Sequence, residues 1–172
     1  MSELPEDRGE RMANEGSVME ICDIITSDRV LPSLRATSKK QALQELARCA
    51  MEMTGVHERA VFDILLERER LGTTGVGRGI AIPHGKLPDL DKLYGLFARL
   101  ERPIDFDSID ERPVDLIFLL LAPESAGADH LKALARVSRL LRDGDVCEKL
   151  RDCDDAEALY ALLTDVRASQ AA

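Results

Sequence analysis

The chain has 172 residues, an ordinary apolar share of 45%, 3% aromatics and no tryptophan, so it can bury one aliphatic core without covalent staples. Its net charge of −9 opposes nucleic acid or an anionic membrane as the main partner, yet steers toward basic protein partners. Cys22, Cys49, Cys147 and Cys153 have neither zinc-knuckle nor CxxC spacing, no secretory leader precedes them, and the longest apolar run, Leu116 to Ala122, cannot span a bilayer. A soluble, cytoplasmic single domain is expected.

Residues 1–17 carry five acids, two arginines and few apolar groups; they cannot offset their ordering entropy and are expected to be a disordered tail. Val18 to Ile25 predicts a short helix with Ile21, Ile24 and Ile25 on one side, and Arg29 to Leu34 predicts a strand. Thr37-Ser38 caps a helix from Lys39 to about Met53, which Gly55 stops. A second helix follows from about Glu58 to Leu71, with Val61, Ile64, Leu65 and Leu71 as its apolar stripe. Arg68 falls on that stripe, four after Ile64 and three after Leu65. Three readings of Arg68 stand side by side: it snorkels to water, it pairs with Glu69, or it reaches an anion.

Gly72 to Lys86 (GTTGVGRGIAIPHGK) suits no helix interior. Its glycines permit positive φ and close approach of the backbone. Ile80-Ala81-Ile82 predicts a strand stub, and Pro83 should stop it because it cannot donate to a ladder. The segment reads as a loop of free N–H groups that presents His84 at the rim of the core. The spacing matches neither a nucleotide phosphate loop nor a dinucleotide fingerprint. A lone histidine is often merely a satisfied polar residue; the glycine-proline-histidine loop favours a functional His84.

Leu93 to Arg99 and Val114 to Leu121 are the strongest strand candidates, the latter continuous enough to be central. The acids between them (Asp105, Asp107, Asp110 and Glu111) lack the calcium-loop pattern and read as a solvated loop. Asp129 or Ser125 would cap a helix from His130 to about Arg142, with Leu134, Val137 and Leu141 on its apolar face. His130 shares that face in the first turn, where the helix terminus favours a neutral ring; a structural histidine is the competing reading. Asp145 to Arg151 and Ala156 to Val166 predict two final helices, and residues 168–172 should fray.

Gly77-Arg78-Gly79-Ile80-Ala81-Ile82-Pro83-His84-Gly85, preceded by Glu69, resembles the active-site signature of the mannitol/fructose class of enzyme IIA in the bacterial phosphoenolpyruvate:sugar phosphotransferase system. LERERLGTTGVGRGIAIPHGK, DFDSIDERPVDLIFLLLAPE and DHLKALARVSRLLRD extend the resemblance over about Val18 to Val166. It is most similar to the nitrogen-regulatory branch. The resemblance implies one α/β domain over residues 18–167, with a mixed, mostly parallel sheet of about five strands and helices on both faces.

It further implies that His84 accepts a phosphoryl group from a histidine-containing phosphocarrier protein, itself fed by enzyme I. His130 would donate a hydrogen bond to the phosphate and Arg68 would stabilise it. The N–H groups of Thr73, Thr74, Gly75, Val76, Gly77 and Arg78 would cradle its oxygens. No metal or cofactor is required, since the donor phosphoramidate is already activated. Regulated targets in such a family would include a potassium transporter or a sensor kinase. Three other readings remain: a sugar-transport enzyme IIA passing phosphate to a fructose or mannitol enzyme IIB, a non-catalytic regulatory module, and a metal hydrolase using His84 and His130, which lacks a third ligand.

Overall fold

The continuous apolar run predicted to be central is the axis of the sheet. In a computed structural model, which describes residues 19–165, Val114–Pro123 forms β6, and Leu116 to Ala122 are all 0% exposed. A strand with one wet face would alternate, so both faces must be covered. The tail expected at 1–17 and the frayed end at 168–172 lie outside the described residues.

The remaining elements are β1 (Val30–Leu34), α1 (Lys39–Thr54), α2 (Glu58–Arg70), β2 (Gly75–Gly77), β3 (Ile80–Ala81), β4 (His84–Leu87), β5 (Tyr94–Ile104), α3 (Ala128–Arg142), α4 (Gly144–Arg151) and α5 (Ala156–Thr164). They build a six-stranded sheet ordered β1-β5-β6-β3-β2, with β4 also on β6. The sheet is mixed: β1 on β5, and β3 and β4 on β6, are parallel, whereas β5–β6 and β2–β3 are antiparallel. Ile80 faces Leu116 and His84 faces Leu120, so β3 and β4 are two pieces of one strand along β6. The interruption falls at Ile82-Pro83, where the proline has no N–H, though its carbonyl still accepts from Leu120 N–H at 3.0 Å.

Strand alternation sends successive residues of β6 to opposite layers. Ile117, Leu119 and Leu121 pack with Leu43 and Leu46 of α1 and Val61 and Leu65 of α2. Leu116, Phe118 and Leu120 pack with Val137 and Leu141 of α3, Leu150 of α4 and Leu159 of α5. Side-chain caps set most helix starts: Ser38 accepts from Gln41 N–H at 3.1 Å, Asp143 from Asp145 N–H and Asp155 from Ala158 N–H. Gly55, at φ 76°, closes α1 in the left-handed region.

Three local expectations fail for identifiable reasons. The predicted helix at Val18–Ile25 is, in its described part, only a 3-10 turn at Ile21–Asp23. There Asp23 takes the Glu20 N–H at 2.9 Å and closes the turn on itself. Leu71 is 86% exposed, because α2 ends at Arg70 before the stripe returns to the core. Neither Asp129 nor Ser125 caps α3; Gly127, at φ 53°, occupies that position without a side-chain bond.

Leu43→Ala should cost roughly 2–5 kcal/mol, because Leu43 is fully buried. Leu131→Ala, at 68% exposure, should stay within about 0.5 kcal/mol. Urea midpoints at unchanged m-value measure both.

Candidate functional site

His84 opens β4 rather than hanging from a loop. The next residue sets what can approach it. A Cβ built on Gly85 would overlap Cγ2 of Ile64, so only glycine lets α2 lie this close to β4. Arg68 is one helical turn beyond Ile64 on the same face, and this close packing carries its guanidinium to the imidazole. Arg68 Nε donates to His84 Nε2 at 3.2 Å, and its Nη1 donates to the Gly72 carbonyl at 2.9 Å.

These partners determine the tautomer. His84 Nδ1 lies 2.8 Å from the Ile82 carbonyl, which can only accept. A guanidinium can only donate. The proton therefore sits on Nδ1, and Nε2 carries the lone pair that accepts from Arg68. On the other side, the His130 ring of α3 stands 5.7 Å from that of His84, tilted by 53°. His130 is 7% exposed, and its Nε2 is buried with no hydrogen-bond partner among the described residues.

Burial is the main cause that holds the His84 pKa below the usual 6.5; Arg68 adds to it, while the Ile82 bond and Glu69 oppose it. Burial also lowers His130, assisted by His84 and Lys86. Both rings are thus biased toward the neutral form. The arrangement offers a basic nitrogen with a fixed tautomer, a cation beside it, and an unsatisfied ring nitrogen nearby.

The structure brings together His84, Arg68 and His130, but disperses the glycine segment. Gly77 and Gly79, at φ 100° and 80°, turn the chain into a β2–β3 hairpin, and β2 runs away from His84. At its tip, Arg78 Nη1 bonds the Arg142 carbonyl at 3.0 Å. His130 to Arg142 is about 18 Å of helix, so Arg78 lies at the opposite end of α3 from the imidazoles. Many amides are also engaged: Thr74 N–H with Glu69, Gly75 N–H with Thr73 Oγ1, and Arg78 N–H with Asp110. The expected cradle from Thr73 through Val76 and Gly77 to Arg78 is therefore corrected to a hairpin whose far half cannot reach His84.

Three contributors escaped sequence reasoning. The Ile82 carbonyl has no side-chain signature. Gly85 was visible only as one glycine among several. Glu69 is the third: instead of pairing with Arg68, as one reading expects, it is buried against Lys39 and Thr74. Among the described residues, no cluster of three His, Cys, Asp or Glu side chains could hold a metal ion. None of their helices is long and apolar enough to cross a membrane.

Residues 23–166 match the family model for the phosphoenolpyruvate-dependent sugar phosphotransferase system, EIIA 2. The chain is 66% identical over 145 residues to a nitrogen regulatory protein of Bradyrhizobium diazoefficiens, covering 84% of this chain and 95% of the relative. It is 40% identical over 152 residues to a fructose-specific EIIA component of the phosphotransferase system of Haloferax volcanii, covering 86% and 99%. Among solved structures, nitrogen regulatory protein IIA-Ntr of Neisseria meningitidis superposes with a TM-score of 0.79 at 34% identity, over 83% of this chain and 97% of that one.

The lowered histidine pKa values have a definite sign in stability. Below about 6.5 the unfolded chain takes up protons that the native rings refuse, so stability should fall with pH through the folded values. Urea midpoints should drop from neutral to mildly acidic pH, and drop less in His130→Gln. An equal slope in both proteins would mean that His130 titrates normally.

Proposed function

Because the chain belongs to the EIIA 2 family of the phosphotransferase system, we propose that it is a phosphohistidine carrier whose acceptor atom is His84 Nε2. The observation that carries this reading is the tautomer: Nδ1–H held by the Ile82 carbonyl leaves Nε2 as the nucleophile. In the proposed step, the Nε2 lone pair attacks phosphorus on the phosphohistidine of a phosphocarrier protein, itself charged by enzyme I. The donor's N–P bond breaks, and its electron pair returns to the donor imidazole. His84 keeps its proton on Nδ1 throughout.

Arg68 occupies the resting lone pair, so its guanidinium must shift from nitrogen to the incoming oxygens before attack. At 3.2 Å that hydrogen bond is long and readily exchanged for charge-assisted bonds to phosphate. The buried Nε2 of His130, without a partner in the unphosphorylated protein, supports a donor role toward the same oxygens. Of the glycine segment, only the end at Thr73 stays within this proposal, since the Thr74 N–H is held by Glu69. Leu71 and Leu131, 86% and 68% exposed, adjoin Arg68 and His130 in the chain and would grip a docking partner.

The likeness to nitrogen regulatory proteins supports a regulatory output rather than delivery of phosphate to a sugar. A phosphate adds about −1.5 to −2 charges where a partner docks, so targets such as a potassium transporter or sensor kinase would read its presence through local repulsion. The similar fructose-specific relative supports the second reading, transfer to an enzyme IIB. Passage of label to a target protein or to an enzyme IIB separates the two.

Incubation with phosphoenolpyruvate, enzyme I and phosphocarrier should add one acid-labile phosphate, absent from His84→Ala; undiminished labelling of that variant would overturn the assignment. Arg68→Ala should retain its fold and transfer roughly 30- to 1,000-fold more slowly, the loss of about 2–4 kcal/mol at the transition state. Circular dichroism and rapid-quench rates on the same preparation test this.

A further inference from the structure

We propose that Glu69 is a positioning residue that acts through Arg68, fixing the last turn of α2 so that the guanidinium stays beside His84, from where it can turn to the incoming phosphate. The proposal rests on the reading of His84 as the phosphoacceptor. Arg68 stands where a helix is weakest. The final carbonyls of a helix have no intrahelical partners, and here those of Arg68 and Glu69 are met only by Leu71 and Gly72 N–H at 3.2 and 3.1 Å. The exit through Gly72 carries one side-chain bond, from Arg68 Nη1 itself to the Gly72 carbonyl at 2.9 Å, so it gives Arg68 no independent anchor. Fraying of this turn would swing the guanidinium away from the imidazole.

Glu69 opposes that motion from three directions. Its side chain is 4% exposed and lies 2.8 Å from Lys39 Nζ, at the start of α1. It accepts the Thr74 N–H at 3.0 Å and also the Thr74 hydroxyl. Lys39 in turn lies 3.7 Å from Asp107 and 4.9 Å over the ring of Phe106. One carboxylate thus ties the end of α2 to the start of α1, to the lead-in of β2 and, through Lys39, to the loop after β5. Consecutive helical residues point about 100° apart. Locking Glu69 inward therefore sets the direction in which Arg68 leaves the helix. A buried ion pair seldom stabilises a fold more than apolar residues of the same shape would. What it supplies is a direction.

Glu69 also acts on His84 by charge, raising its pKa, so a direct electrostatic role is the competing account. A double-mutant cycle distinguishes them. Glu69→Gln keeps the shape and an acceptor for Thr74 but releases Lys39. It should slow single-turnover phosphoryl acceptance on the order of ten- to a hundredfold, as a small misplacement of a catalytic group does, with KM for the phosphocarrier unchanged. In an Arg68→Ala background the same substitution should add nothing.

The Arg68 Nε–H resonance should lose its hydrogen-bonded shift in unphosphorylated Glu69→Gln. Parent-like kinetics, an equal loss without Arg68, or an unaltered resonance would each overturn the proposal. The resonance needs no phosphate, so it decides the matter even if the parent takes up no label, an outcome that would fall on the phosphocarrier reading instead. Should Glu69→Gln fail to fold, Lys39→Gln/Glu69→Gln, a neutral pair, is held to the same criteria.

Discussion

The site depends on a strand that pairs with β6 twice. Ile80 and Ala81 use the first part of the β6 edge, and His84 to Leu87 use the next. Pro83 breaks the ladder between them without letting the chain leave. The imidazole is therefore held in sheet register, and the Ile82 carbonyl released at the break turns back to receive Nδ1–H. A histidine on a free loop would have either tautomer and many orientations; here backbone hydrogen bonding selects one of each.

Charge follows from the same geometry. On a chain of net charge −9, a surface imidazole would ordinarily be held toward its protonated form. Burial is the largest influence on both His84 and His130 and acts in the opposite sense. The bias of both rings toward the neutral form thus arises from where they sit, not from the sign of the protein as a whole. Arg68 contributes on the same side by placing a fixed cation against Nε2.

Periodicity and punctuation made much of the fold legible. Ser38 and Gly55 bound α1 as their chemistry demands, and the unbroken apolar run of β6 announced a doubly covered strand. Arg68 and His130 stood out because each put a polar group on an apolar face, a local conflict of the kind that marks functional positions. The glycine segment misled because positive-φ residues serve a tight hairpin as readily as an anion cradle; only the pairing of Gly75 with Ala81 and Gly77 with Ile80 decides between them. Glu69 was legible beside Arg68 but its partner Lys39 was not, since that residue is distant along the chain, and the Ile82 carbonyl belongs to the backbone and has no side-chain signal.

The doubly covered β6 divides the described residues into two layers, and the three side chains of the site come from different parts of that division. His84 belongs to the sheet, Arg68 to the α1–α2 layer, and His130 to the layer of α3, α4 and α5. No single layer holds the whole constellation. A nascent or damaged chain with one layer unseated presents an imidazole that has lost either its cation or its neighbouring ring. Assembly of the candidate site is thus a coincidence test on folding itself, met only after both halves of the core have closed on the sheet.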